Sequence, residues 1–167
     1  MNPAVIKAIL IAVVSLSYGF SLLVSILNVN HIRPGIDPSL ADFIDEQKYR
    51  SLLAYNREKS LLGIGEGLLS FLALLMFLML DGPGRLDAAL AGFVGSHRLR
   101  AILFFGILSL ASGILSLPFS LYHDFSLEAR YGFNTKTIGL YISDMIKGLV
   151  LGAIFGGGIL YVLLLCI

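Results

Sequence analysis

Four long apolar runs limit what this chain can become. They cover about 4–27, 61–80, 101–122 and 148–167. Lys7 is the one charge in the first run and Glu66 the one in the second; the third and fourth carry none. A helix of about 20 residues crosses roughly 30 Å of hydrocarbon, and each run is that long. Backbone groups in lipid must pair within their own segment, so the runs are helices and not open strands. Charged residues make up 14% of the chain, against roughly 25% in soluble domains. The sequence therefore specifies an all-α polytopic membrane protein. The first run is too long for a signal peptide and no small-x-small cleavage site follows it, so it is read as a retained helix. The net charge of +1 and the absence of a basic stripe give no nucleic-acid partner.

The expected organisation is one membrane domain over 1–167, with helices over about 4–27, 38–80, 98–131 and 135–167. The second helix has a long cytoplasmic extension. Arg33-Pro34-Gly35 is a turn, and Asp37 followed by Pro38 is an N-cap and first helical residue. From there Leu40, Phe43, Ile44 and Tyr55 fall on one face, and Glu46 and Arg50 pair at i,i+4. Asp81-Gly82-Pro83-Gly84 ends the second helix, and Leu86–Phe93 is expected at the membrane interface. Eight of the 12 Lys and Arg lie in the first and third loops. The positive-inside rule places those loops in the cytoplasm and both termini outside.

Glu66 sits one to two turns inside the second run. A carboxylate at that depth is a functional candidate unless it is paired or wet. Three readings stand: an ion pair with Lys59 or Lys147, the lining of a polar chamber, or a proton relay. Gly63 and Gly67 flank it and permit close helix approach, as do Gly148, Gly152 and Gly156 on the fourth helix. Cys166 cannot form an internal disulfide with no second cysteine present. His31, His97 and His123 lie in three different loops, and none is spaced to clamp a metal from one helix face. A zinc site from His31, His123 and Asp124 is a remote alternative to plain loop histidines. No catalytic residue, metal ligand or phosphate loop is assigned to the chain.

The segment 117–148 is the most specific. By its residues it is a helix that leaves the membrane at Pro118, carries Asp124, Glu128 and Arg130 into water and stops at Gly132. A new helix begins near Asn134 and carries Asp144 and Lys147 to the rim. Leu117-Pro118-Phe119-Ser120-Leu121-Tyr122, Phe125, Glu128, Arg130, Gly132-Phe133-Asn134, Asp144, Lys147 and Gly148 together resemble the N-terminal membrane region of the CAAX prenyl protease family. Phe43, Tyr49, Tyr55 and Lys59 extend the resemblance into the first loop, while His123 and Tyr131 vary from the commonest forms.

The resemblance implies the front portion of a seven-helix integral-membrane zinc endopeptidase that encloses a water-filled chamber. In that family an H-E-x-x-H helix and a later Glu bind zinc, and the chain contains no H-E-x-x-H. It is expected to be inactive alone, with zinc and a prenylated or other peptide substrate belonging to the full-length enzyme. Glu66, Glu128, Arg130, Gly132, Asn134, Asp144 and Lys147 are the candidates for lining the chamber or bracing the protease domain. The membrane would be the plasma membrane of a prokaryote, or the endoplasmic reticulum or inner nuclear membrane of a eukaryote. A non-catalytic membrane scaffold, or a small transporter subunit coupled through Glu66, are the other readings.

Overall fold

A computed structural model describes residues 2–31 and 45–166. The turn and cap at 33–38 and the apolar positions Leu40, Phe43 and Ile44 lie outside the described residues. The order is α1 (Pro3–His31), α2 (Glu46–Met79), α3 (Gly82–Ala91), α4 (His97–Tyr122), a π-helical turn (His123–Leu127), α5 (Glu128–Arg130) and α6 (Ile138–Leu165). No strand occurs among the described residues. Among the described residues, four helical stretches are long and apolar enough to cross a membrane: Ala4–His31, Glu46–Met79, His97–Arg130 and Ile138–Leu165. Their side chains stay largely exposed, which suits helices solvated by lipid tails.

The described chain divides into two compact units, one of Met1–Leu78 with Ser116–Asn134 and the other of Met79–Leu115 with Thr135–Ile167. In the first unit α1 starts as its sequence dictates: the Asn2 side-chain oxygen accepts from the Ala4 N–H at 3.0 Å, ahead of Pro3. Helix α2 is 34 residues, about 51 Å at 1.5 Å per residue, so it outruns a hydrocarbon core of roughly 30 Å. Its first turn carries the ion pair of Arg50 with Glu46. Deeper in, Tyr18 of α1 stacks flat on Phe71 of α2, ring centres 4.3 Å apart. A Cβ at Gly67 would stand 3.6 Å from that Tyr18 ring and one at Gly65 would stand 3.7 Å from Phe119, whereas Gly63 faces open space. The close approach thus uses Gly65 and Gly67.

In the second unit α2 gives way to α3 through Asp81 at φ 55°, a left-handed conformation that Asp tolerates better than most residues. The expected interfacial segment is the ten-residue helix α3. Helix α6 begins at Ile138 and not near 135, because the Thr137 hydroxyl accepts the Leu140 N–H at 3.3 Å and sets the cap there. Gly148, Gly152 and Gly156 have nothing within 4 Å of a would-be Cβ, while Gly157 lies beside Ile102 of α4. Among the described residues the four-spaced ridge is therefore uncovered, and the contact falls one residue along.

Candidate functional site

The site is built where α4 ends. Pro118 sits inside α4 without ending it, and the disturbance comes five residues later as a π turn. The Glu128 N–H bonds back to the His123 carbonyl, five residues away. In a regular α-helix, side chains five apart point about 140° apart. The wider turn brings His123 and Glu128 onto one face. His123 donates from Nδ1 to Asp124 Oδ1 at 2.9 Å, and the same nitrogen lies 3.7 Å from Glu128 Oε1. Asp124 is buried, 7% exposed, and Leu127 is fully enclosed. His123 Nε2 is buried without a hydrogen-bond partner among the described residues.

The chain then stops its helix with a Schellman closure. The Phe133 N–H bonds the Glu128 carbonyl at 2.9 Å and the Gly132 N–H bonds the Ala129 carbonyl at 3.3 Å. Gly132 adopts φ 75°, a conformation costly for any residue with a Cβ. Asn134 adds a second N–H to the Glu128 carbonyl at 3.2 Å. This closure aims the side chains of Arg130, Tyr131 and Phe133 back at α2. Arg130 Nη1 donates to Glu58 Oε2 at 2.9 Å, and the Tyr131 hydroxyl donates to Glu58 Oε1 at 3.0 Å. Tyr55, one turn before Glu58, receives the rings of Tyr131 and Phe133 edge-on, with centres 5.5 and 5.1 Å away. Lys59 Nζ stands 5.6 Å over the Tyr55 ring. The Tyr131 phenol titrates above its ordinary value, first because it is desolvated and then because it donates to the Glu58 carboxylate.

The fold therefore brings Glu128, Arg130, Gly132 and Asn134 together on one turn. Arg130 finds its carboxylate within the chain, in Glu58. Asp144 and Lys147 lie in the other unit, where they face each other on α6 at 4.0 Å. Glu66 makes no ion pair or hydrogen bond among the described residues. The cations expected for it are elsewhere: Lys59 is over Tyr55 and Lys147 is beside Asp144. Among the described residues, the group of metal-capable side chains that gathers is His123, Asp124 and Glu128, without His31. Sequence reasoning missed Glu58 as a partner. The signal for it was the i,i+3 spacing of Tyr55 and Glu58, which puts an aromatic ring and a carboxylate on one face of α2.

Together these features define a multi-pass helical membrane protein whose polar connector after the third span is clamped back onto the second. The profile described as "CAAX prenyl protease N-terminal, five membrane helices" matches residues 25–167. CAAX prenyl protease 1 of Saccharomyces cerevisiae is 33% identical over 141 residues, covering 77% of this chain and 31% of the relative. The human homologue of CAAX prenyl protease 1 is 28% identical over 122 residues, 69% of this chain and 26% of the relative. A crystal structure of S. mikatae Ste24p superposes with a TM-score of 0.83 at 29% identity, covering 93% of this chain and 38% of that one. The chain belongs to the CAAX prenyl protease family and corresponds to its N-terminal membrane portion, spanning about a third of the length of the relatives it matches.

The family implies zinc, and the residues present do not fit a catalytic zinc. Such a site takes three protein ligands and leaves a fourth position open, with two imidazoles in the H-E-x-x-H type. The cluster here offers one imidazole, and its Nδ1 is already engaged by Asp124. No step of the chemistry is assigned to this chain.

Proposed function

We propose that the chain forms part of the chamber wall of a membrane zinc endopeptidase and braces the protease domain that the family's full-length members carry. Peptide-bond cleavage, the zinc and a prenylated peptide substrate belong to that full-length enzyme. The observation that carries this reading is the clamp of Arg130, Tyr131 and Phe133 on Glu58 and Tyr55. It fixes a polar segment at the rim, where a domain outside the bilayer would rest. The uncovered ridge of Gly148, Gly152 and Gly156 suits a further membrane helix of the same enzyme, and Glu66, without a partner among the described residues, suits a water-lined wall. In this reading the first and third loops face the cytoplasm. A reporter fused after Ile167 is then expected to read as extracytosolic, and a cytoplasmic reading would overturn the orientation.

The bracing role is tested in a full-length protein that carries these residues. Gly132→Ala strains the closure and Arg130→Ala removes the ion pair. Each is expected to lower cleavage of a prenylated peptide by up to about tenfold, the equivalent of roughly 1.4 kcal/mol in the barrier. Zinc content should stay at the wild-type value. Full activity in both variants, or loss of zinc with loss of activity, would remove the bracing role.

A further inference from the structure

The second unit holds a niche of about 270 Å³ between α3 and the start of α4. Pro83, Asp87, His97, Arg100, Phe104 and Phe105 line it. Arg100 Nε contacts Asp87 Oδ1 at 3.2 Å. Its Nη2 meets His97 Nδ1 at 3.0 Å. A guanidinium cannot accept, so His97 Nδ1 accepts here and Nε2 carries the ring proton. A guanidinium has about five N–H donors, and among the described residues these two contacts leave Nη1 and one Nη2 N–H uncommitted. The Asp87 carboxylate, half exposed, keeps Oδ2 available. The niche therefore presents a cation and an anion side by side, both with unused hydrogen-bonding capacity, in a lining they share with two phenyl rings.

The connection between α2 and α4 lies where both spans leave the hydrocarbon, so the niche opens at the bilayer interface. Phe93, in the same connection, is 91% exposed. A ligand for this niche has an apolar tail and a head whose charges mirror those of the lining. We propose that the niche is a binding site for an aminophospholipid: the phosphodiester on Arg100 and His97 Nε2–H, the primary ammonium on Asp87, and an acyl chain on Phe104 and Phe105. A trimethylated head has no N–H to give Asp87. A purely anionic head would meet the Asp87 carboxylate with repulsion. The site thus discriminates by charge pattern, and a basic patch alone would not.

The test is native mass spectrometry of the purified full chain, delipidated in mild detergent and offered equimolar dioleoyl phosphatidylethanolamine, phosphatidylcholine and phosphatidylglycerol. The wild type is expected to retain phosphatidylethanolamine on the order of five- to tenfold over phosphatidylcholine, the scale of one charged contact near a membrane surface. Asp87→Asn should reverse the order and favour phosphatidylglycerol. Arg100→Gln should abolish all preference. If Arg100→Gln loses its helical circular dichroism, Asp87→Asn decides by itself, because it leaves the guanidinium in place. Equal retention of the three lipids by the wild type would overturn the proposal. So would an unchanged ethanolamine-to-glycerol ratio in Asp87→Asn, or competition by inorganic phosphate regardless of acyl chain.

Discussion

Leu127→Ala is expected to destabilise the protein by roughly 2–5 kcal/mol, the range for deleting a fully enclosed leucine. Leu127 is fully enclosed in a protein whose other large apolar side chains lie mostly on the surface. It occupies the last position of the π turn, between buried Asp124 and the Schellman closure at Gly132. Removing its branched end leaves a void that neither lipid nor water reaches, so the lining loses its contacts outright. The backbone there already departs from the α-helical ladder and has little regular structure to fall back on. The cavity term should therefore dominate, and the side-chain bonds of His123 and Asp124 should loosen with it. Thermal or SDS unfolding in mild detergent, followed by far-ultraviolet circular dichroism, gives the comparison. Leu127→Met conserves volume and should cost under about 1.5 kcal/mol. A Leu127→Ala protein as stable as its Met counterpart would mean the π turn is held by its polar bonds and not by packing.

The large features of this fold were legible because bilayer physics leaves few choices. Long apolar runs had to be helices, and the described residues hold four helices long and apolar enough to span. The Glu46–Arg50 pair and the positive φ of Gly132 followed from spacing and from glycine's missing Cβ. The harder features depend on partners distant in sequence or on a changed helical period. Arg130 had no visible carboxylate partner in its own neighbourhood, because Glu58 precedes it by 72 residues. His123 and Glu128 are five residues apart, a spacing that at the α-helical angle puts side chains on different faces. Nothing in the local sequence states that the turn will widen. The glycine ridge on α6 was legible as a packing surface, but the residue that meets α4 is Gly157, beside the ridge. Small residues announce that a close approach is possible; the tilt of the two helices decides which of them is used.

Tyr55→Ala is the second large effect, and it separates two accounts of the clamp. One account makes the Arg130–Glu58 ion pair the fastening. Those side chains are 54% and 39% exposed, and exposed pairs of this kind contribute about 0.2–1 kcal/mol. The other account makes it the rings. Two edge-to-face pairs at about 0.5–1.5 kcal/mol each give roughly 1–3 kcal/mol before any apolar burial is added. The rings therefore outweigh the charges. Amide hydrogen exchange across Tyr131, Gly132, Phe133 and Asn134 reports the opening of the clamp directly. Tyr55→Ala should speed that exchange by roughly tenfold to a hundredfold, since each 1.4 kcal/mol is about tenfold in an opening equilibrium. Glu58→Gln keeps an acceptor for Tyr131 and removes only the charge, so its effect should stay below about fivefold. Raising the salt concentration should alter wild-type exchange little, because the fastening that remains under screening is the aromatic one. A Glu58→Gln protein that exchanges faster than Tyr55→Ala would reverse this order and make the carboxylate the element that ties the connector to α2.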